Sequence, residues 1–233
     1  MSGAALDAAG EAAVAKLLEA LRSEPASVSS VRDPAEARRV HVADSLSGLG
    51  VAELREARRI ADIGAGAGFP GLVLALALPE ARVDLVESVA RKCDFMRRAA
   101  DAARIGNVEV VCSRSEELAR GPGREAYDAV TARAVGSLAE LAELASPLLR
   151  EGGVLVAWRG ARDESEEAAL EEAGAEVEMR PERIIAAEPY PGSRHRHLHV
   201  VRKRGPTPER FPRRAGMARK RPLAGGRARR GRV

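Results

Sequence analysis

The first third of the chain places apolar residues at the spacing of a helix. Residues 4–22 predict an amphipathic helix whose apolar face is formed by Leu6, Val14, Leu17, Leu18 and Leu21. A polar loop follows. Asp33 can then cap a second helix, which has Pro34 at its first position and runs to about Leu49. Residues 1–57 are therefore predicted to be a helical extension.

From residue 58 the pattern changes to short apolar segments that alternate with helical ones. The strand-like segments are RRIADIG, ARVDLVES, NVEVVCS, YDAVTARA and GVLVAWRG. Helical segments GLVLALAL, RKCDFMRRAADAARIG and SLAELAELASPLLREGG lie between them. Strands and helices that alternate at this spacing predict βαβ units and a parallel sheet, an α/β fold.

The end of the α/β region predicts a different pairing. An acidic helix from Asp163 to Ala173 precedes AEVEMRPERII and HRHLHVVRK, which we expect to form a closing antiparallel pair. The α/β domain then spans residues 58–204. Residues 205–233 are rich in Pro, Gly and Arg, and we expect them to form a basic, flexible tail.

Composition restricts the class of protein. The chain has 233 residues, 45% of them hydrophobic, but no long uncharged apolar run, so we expect no membrane span. A basic leader followed by an apolar block is absent, which favours a cytoplasmic protein. Cys93 and Cys112 are expected to be reduced thiols, and no Cys/His cluster suggests a metal. Nothing points to oligomerisation, and we expect a monomer.

Charge is distributed unevenly. From Arg202 to the end there are 13 basic residues and one acid, whereas the preceding chain carries a net charge of −8. An acidic body with a basic end predicts a polyanionic partner bound through phosphates. The alternative is a solvated extension with no necessary role.

The sequence DIGAGAGFPG lies where the first strand gives way to a helix. Gly64, Gly66 and Gly68 allow a sharp turn and close approach of a ligand to the main chain. Glu87 ends the next strand, where a carboxylate can accept hydrogen bonds from the ribose hydroxyls of NAD or of S-adenosylmethionine. The spacing is not the dinucleotide G-x-G-x-x-G, and Asp62 would repel a pyrophosphate but could serve the ammonium of methionine. This pattern favours S-adenosylmethionine over NAD and over a turn with no cofactor.

The segment CSRSEEL follows the third strand, in the position that faces the adenine in this arrangement. Ser115 and Glu116 can offer a backbone N–H and a carboxylate to the edge of the base. The same residues could instead start a helix, with Ser113 or Ser115 as its cap.

Several motifs occur in one order: SVRDPAEARRVHVADSL, DIGAGAGFPGLVLAL, LVES, NVEVVCSRSEEL, YDAVTARAVGSL and RHLHVV. From about Ser30 to Val201 the chain resembles the bacterial 16S rRNA guanine-N7 methyltransferase family, long called glucose-inhibited division protein B. FPRRAGMARKRPL resembles the end of several members. The resemblance implies a Rossmann-like class I methyltransferase fold with a mostly parallel seven-stranded sheet, S-adenosylmethionine as donor, and 16S ribosomal RNA or the small-subunit particle as partner.

The resemblance also implies particular residues. Cofactor contacts would come from Gly64, Phe69, Ser115, Glu116 and Arg133. Two departures concern the substrate side: the family's YNLT before SVRDP is ASVS here, and a lysine at the end of the fifth strand is Arg159.

Methylation of guanine N7 needs no general base, because the lone pair is already available; alignment and exclusion of water suffice. Arg133 and Arg159 end neighbouring strands at the carboxyl edge of the sheet, where ligands of such sheets bind, and are the candidate catalytic residues. Candidate RNA contacts are Arg114, Arg194, Arg196 and His197.

Other readings stay open. The chain could be a methyltransferase for a small molecule, or an RNA-binding protein with a vestigial donor site. His41 and Asp44 could pair on one helix or simply pack, and Trp158 is more typical of core than of base stacking.

Overall fold

The protein is described from a computed structural model, which defines residues 6–24, 31 and 33–224. The N-terminal helix α1 spans Ala8–Ser23, and Asp7 caps it by accepting a hydrogen bond from the Gly10 N–H (2.7 Å). Its buried face includes Val14, Leu17 and Leu21, as the spacing predicts. Leu6 lies before the helix begins and packs, partly buried, against the same core, whereas residues 4–5 of the predicted helix lie outside the described residues.

A second helical stretch follows and changes its winding along its length. It consists of α2 (Pro34–Ala37), a π-helical segment (Arg38–Ala43), α3 (Asp44–Leu46) and a 3₁₀ turn (Ser47–Gly50). Asp33 caps it at the Glu36 N–H (2.8 Å), which confirms the predicted start. The π-helical segment was not predicted. Such segments are frequent at functional sites because they shift the direction of the side chains that follow.

Seven strands form one sheet, in the order β3-β2-β1-β4-β5-β7-β6. Strands β1 to β5 are mutually parallel, while β7 runs antiparallel to both β5 and β6. This confirms the predicted parallel sheet and its antiparallel closing pair. The strands span Arg59–Ile63 (β1), Arg82–Glu87 (β2), Val108–Cys112 (β3), Tyr127–Arg133 (β4), Leu149–Arg159 (β5), Met179–Ala187 (β6) and Arg196–Lys203 (β7).

The remaining helices cover the sheet on both faces. They are α4 (Ala52–Glu56), α5 (Gly71–Ala77), α6 (Ala90–Ala103), α7 (Ser115–Leu118), α8 (Leu138–Ala145), α9 (Glu164–Glu176) and α10 (Met217–Lys220). Helix α8 ends at Ala145, before Pro147, so the helix predicted to reach the Gly-Gly pair is shorter and β5 begins earlier. Successive residues of a strand point into two apolar layers, one on each face of the sheet, for example Ile60 into one and Ala61 into the other.

The segment after β7 differs from the expected flexible tail. Residues 205–224 pack on the body of the domain, and Phe211 is only 1% exposed. The buried ammonium of Lys203 donates to the Ser146 carbonyl (2.8 Å), and it also contacts Thr207. Hydrophobic and polar anchors therefore hold this segment, in spite of its Pro/Gly/Arg composition. The remaining basic residues, from Gly225 on, lie outside the described residues.

Candidate active site

Two clefts open at the carboxyl ends of the parallel strands and meet beside β4. The larger, of about 470 Å³, is lined by the glycine turn, the end of β2, α7 and the chain after β4. The smaller, of about 160 Å³, lies between Arg133, Arg159 and β7. Ala134 lines both clefts. A ligand in each could therefore approach the other at one point, as a transfer reaction requires. We call them the donor cleft and the acceptor cavity.

The glycine turn forms the floor of the donor cleft. Gly64 has a φ of +64°, and its N–H bonds the Val86 carbonyl of the neighbouring strand (2.8 Å). A Cβ atom on Gly64 would meet Val135 at 2.5 Å, so this position requires glycine for both conformation and space. The turn therefore brings bare main chain to the cleft, as the sequence predicts.

Asp62 lies beneath the turn and not in the cleft. It is 1% exposed, and its two oxygens accept from the Gly71 N–H (2.9 Å) and the Thr131 hydroxyl (2.8 Å). Burial raises the pKa of Asp62 to about 6, although both hydrogen bonds and the charge of Arg133 oppose the shift. In this structure Asp62 fastens the turn to α5 and β4. Its predicted contact with the ammonium of methionine stays a prediction.

Glu87 ends β2 at the wall of the donor cleft. Oε1 accepts from the N–H groups of Ser88 (2.8 Å) and Val89 (3.0 Å), and Oε2 accepts from Gly66 (3.1 Å). Lys92 lies 3.8 Å from Oε2. These contacts hold the carboxylate against the glycine turn and beside the cleft, a position suited to accepting ribose hydroxyls.

Helix α7 forms the opposite wall. Its first turn is closed by the Glu117 carboxylate, which accepts from the Arg114 N–H (3.1 Å), so neither Ser113 nor Ser115 is its cap. Ser115 and Glu116 both line the cleft. Glu116 is 6% exposed, and its Oε1 accepts from the Gly216 N–H (2.7 Å) of the C-terminal segment. That contact joins distant parts of the chain and has no signal in the sequence.

Arg133 is held by the N-terminal helical stretch. Its guanidinium donates to the Val40 carbonyl and to Asp44 Oδ2, each at 3.1 Å, and its Nη2 lies 3.1 Å from His41 Nδ1. Burial and the charge of Arg133 lower the pKa of His41 to about 4, so the ring is neutral and Nδ1 accepts. His41 and Asp44 thus both contact Arg133.

The His41 ring also connects this cluster to the glycine turn. It stacks on Phe69, with ring centres 4.8 Å apart and an angle of 15° between the planes. The Arg133 guanidinium lies 5.8 Å from the centre of the same Phe69 ring. The N-terminal extension therefore fixes residues on both sides of the junction between the clefts.

The acceptor cavity has a buried, unpaired donor. Arg159 donates from Nη2 to the Gly136 carbonyl (2.7 Å) and lies 3.4 Å from Glu166, but its buried Nε has no hydrogen-bond partner among the residues that the structure describes. Trp158 also lines the cavity. Its Nε1 donates to the Asp44 carbonyl (2.8 Å), and the ring is 5% exposed, so it is mainly a core residue. An unsatisfied buried N–H is costly, which marks Arg159 as a residue that can gain a partner from a ligand.

The structure separates the residues predicted from sequence into groups. Gly64, Glu87, Ser115 and Glu116 line the donor cleft, and Arg114 lies at the same cleft. Arg133, Arg159, Arg196 and His197 line the acceptor cavity. Arg194 is exposed in the loop before β7. The predicted cofactor residues that line neither cleft are Asp62, Gly66, Gly68 and Phe69.

Several residues at the site were missed by sequence reasoning. Thr131 holds Asp62, while Lys92, Gly136, Glu140 and Arg219 line the donor cleft. Thr131 carried a usable signal, since it lies two residues before Arg133 in a strand and its neighbour across the sheet is Asp62. Arg219 carried none. Within the described ranges, there is no cluster of metal-binding side chains and no helix long and apolar enough to cross a membrane.

The cleft fits S-adenosylmethionine: it offers bare main chain at Gly64, a fixed carboxylate at Glu87 and an acidic wall at Glu116. This fold and this site define a class I S-adenosylmethionine-dependent methyltransferase. The model of the GidB family, described as rRNA small subunit methyltransferase G, matches residues 15–196, and the chain belongs to that family.

Relatives agree with this assignment, and solved structures share the fold. Ribosomal RNA small subunit methyltransferase G of Rubrobacter xylanophilus is 43% identical over 86% of this chain and 78% of its own length. The protein of that name from Desulfitobacterium hafniense is 38% identical over 86% and 83%. A predicted O-methyltransferase from Agrobacterium tumefaciens is similar in structure, with a TM-score of 0.53 and 28% identity over 70% of this chain and 79% of its own. The O-methyltransferase TomG from Streptomyces achromogenes, solved with S-adenosylmethionine, shares the fold with a TM-score of 0.55 and 21% identity over 83% and 90%.

Proposed function

We propose that this protein transfers a methyl group from S-adenosylmethionine to N7 of a guanine in 16S ribosomal RNA. The observation that carries the proposal is the junction at Ala134 between a donor cleft and a cavity lined by three arginines. Membership of the rRNA small subunit methyltransferase G family supports ribosomal RNA as the substrate.

The chemistry asks little of the protein beyond alignment. Bound S-adenosylmethionine supplies a methyl group on a positively charged sulfur. Guanine N7 carries an in-plane lone pair and loses no proton, so the reaction requires no general base from the residues that line the acceptor cavity. The protein has to hold the guanine edge at the Ala134 junction and exclude water there.

Arg159 is suited to recognise the base. Its unpaired Nε–H is a donor, and guanine presents the O6 acceptor next to N7. A bond from Arg159 to O6 would satisfy the buried donor and place N7 beside it. The Arg133 guanidinium already forms hydrogen bonds with Asp44, His41 and the Val40 carbonyl. Pairing with Asp44 offsets its charge beside a base that becomes cationic after methylation.

The rim of the cavity fits the RNA backbone. Arg196 and His197 line it, and Arg194 is exposed in the preceding loop. Cationic side chains at such positions bind phosphates and fix the register of an RNA strand. Arg114 lies at the donor cleft, so its proposed RNA contact would require the RNA to extend across both openings. We further propose that the protein acts as a monomer in the cytoplasm.

The test is to map 7-methylguanosine in small-subunit RNA from cells with and without this protein. We expect one guanine to lose the modification in the deletion strain and to regain it when purified protein and S-adenosylmethionine are added to that RNA or to small-subunit particles. An unchanged 7-methylguanosine content in the deletion strain would contradict the proposal.

Arg159→Lys and Arg159→Met test in the same assay whether this position needs a cationic hydrogen-bond donor. Lysine keeps a positive charge and N–H donors and should retain most of the activity, whereas methionine should lower the rate at least ~10-fold, as loss of a hydrogen bond to a base predicts. Methylation of a metabolite but not of RNA would favour the alternative small-molecule enzyme.

A further inference from the structure

The C-terminal segment, residues 205–224, is anchored to the domain at several points. The Arg213 guanidinium binds both oxygens of Glu143, at 2.6 and 2.5 Å, and Glu143 is 3% exposed. Arg124 donates to the Phe211 carbonyl (3.0 Å), and Arg120 donates to the Arg213 carbonyl (2.6 Å). Bidentate arginine pairs and buried aromatics fix geometry more firmly than exposed ion pairs do.

These anchors carry the segment to the donor cleft. Gly216 and Arg219 line the cleft, together with Glu116 of α7 and Glu140 of α8. Gly216 has a φ of +78°, and its N–H reaches Glu116 Oε1 at 2.7 Å. Burial raises the pKa of Glu140 while the positive charge of Arg219 lowers it, which places Arg219 within electrostatic range of that carboxyl. The C-terminal segment therefore lines the donor cleft, although its sequence suggests a tail that binds RNA.

The contact at Glu116 has a chemical consequence. Oε1 accepts from the Gly216 N–H, while Oε2 has, within the described part of the chain, only the Ser115 hydroxyl at 3.3 Å. Glu116 Oε2 thus retains capacity to accept from a ligand, and the segment holds the carboxylate in one orientation. The exocyclic amine of adenine is a donor of the type that such an oxygen accepts. A planar guanidinium beside it can lie over the face of the ring.

We infer that the C-terminal segment is part of the S-adenosylmethionine site: Gly216 orients Glu116 toward the adenine, and Arg219 covers that end of the cleft. The inference rests on the proposed placement of the adenine beside Ser115 and Glu116. The segment then connects donor binding with RNA binding, because the residues that close the donor cleft are followed directly by the basic end of the chain.

The sharpest test compares two neighbouring basic residues of α10. Arg219 lines the cleft and Lys220 does not, yet both are exposed and carry one positive charge. Binding of S-adenosylhomocysteine and of adenosine is measured by isothermal titration calorimetry without RNA. We expect Arg219→Ala to weaken both ligands by the same factor, about 10-fold, because the loss is at the adenine. Lys220→Ala should leave both affinities within 2-fold of the wild type.

Two truncated chains test the whole segment. A chain that ends after Ala224 should bind S-adenosylhomocysteine as the full chain does, and one that ends after Arg210 should lose at least 10-fold in affinity. If the shorter chain does not fold, as thermal unfolding would show, the comparison of Arg219→Ala with Lys220→Ala decides alone.

Glu87→Ala locates the ligand in the same assay. Suppose that Glu87→Ala loses affinity while Arg219→Ala and Lys220→Ala both bind as tightly as the wild type. That result would overturn the inference about the C-terminal segment, but the donor site would still be placed at Glu87. Undiminished binding by Glu87→Ala would overturn the placement of the donor, and the inference with it. Because no RNA is present, neither result depends on whether ribosomal RNA is the substrate.

Discussion

At the scale of single residues, the donor site is built on a buried carboxylate that is expensive to ionise. Asp62 contacts the turn, α5 and β4 at once, and burial raises its pKa to about 6. Asp62 fixes the geometry of the site, because it accepts hydrogen bonds from both the Gly71 N–H and the Thr131 hydroxyl. The free energy of unfolding should therefore change with pH as this carboxyl ionises.

Asp62→Asn is predicted to gain stability relative to the wild type as the pH rises. In the native state Asp62 holds its proton up to a pH of about 6, whereas in the unfolded chain the carboxyl loses its proton near its ordinary pKa of 3.8. Between these values the native state binds more protons, so this group's contribution to wild-type stability falls as pH increases. Asparagine can still accept from Gly71 and does not ionise.

Thermal or urea unfolding from pH 4 to pH 7.5 measures the effect. The free energy of unfolding of Asp62→Asn relative to the wild type should rise by roughly 2 kcal/mol between pH 4 and pH 7, and then stay constant. A difference that is independent of pH would show that Asp62 titrates as an exposed carboxyl does.

At the scale of elements, the N-terminal helical stretch is part of the candidate active site and not only an extension. Its π-helical segment and α3 deliver Val40, His41 and Asp44 to Arg133. A π-helical turn changes the direction of successive side chains, so neighbours in sequence can converge on one guanidinium. The stack of His41 on Phe69 extends this contact to the glycine turn.

Two His41 variants separate stacking from hydrogen bonding. Phenylalanine keeps a ring against Phe69 but offers no acceptor to Arg133, whereas asparagine offers an oxygen near the position of Nδ1. We expect His41→Phe to lower kcat about 10-fold with little change in the affinity for S-adenosylhomocysteine, and His41→Asn to recover part of that loss. Full activity in His41→Phe would show that the Arg133 contact does not position the reacting groups.

At the scale of the whole molecule, the charge is divided between an acidic body and a basic end. The nine residues after Ala224 include four arginines and no acid. Phosphate contacts release counterions, so each contributes to the salt dependence of RNA binding. The C-terminal segment, residues 205–224, and the basic residues that follow it are therefore expected to serve different ligands.

Removal of residues 225–233 should change RNA binding but not donor binding. The slope of log K against log salt should decrease in magnitude by about 1 to 3, since four cations are removed and each phosphate contact in single-stranded RNA contributes about 0.7. Filter binding to small-subunit RNA between 50 and 300 mM salt gives the slope. An unchanged slope would mean that these arginines do not contact the RNA.

The sequence by itself determined the order of strands and helices, the glycine turn and the choice of cofactor. These are local properties: the period of apolar positions, the φ freedom of Gly64 and the acid at the end of β2 can each be read within a few residues. The predicted cap at Asp33 was confirmed for the same reason.

Only the tertiary structure decided which distant residues share a contact. Arg133 meets His41 across about 90 positions and Gly216 meets Glu116 across 100. It also decided that Asp62 lies under the turn, and that residues 205–224 fold although their composition suggests flexibility. Burial and hydrogen bonding of these groups depend on packing between elements, and that packing cannot be predicted from the local pattern of residues.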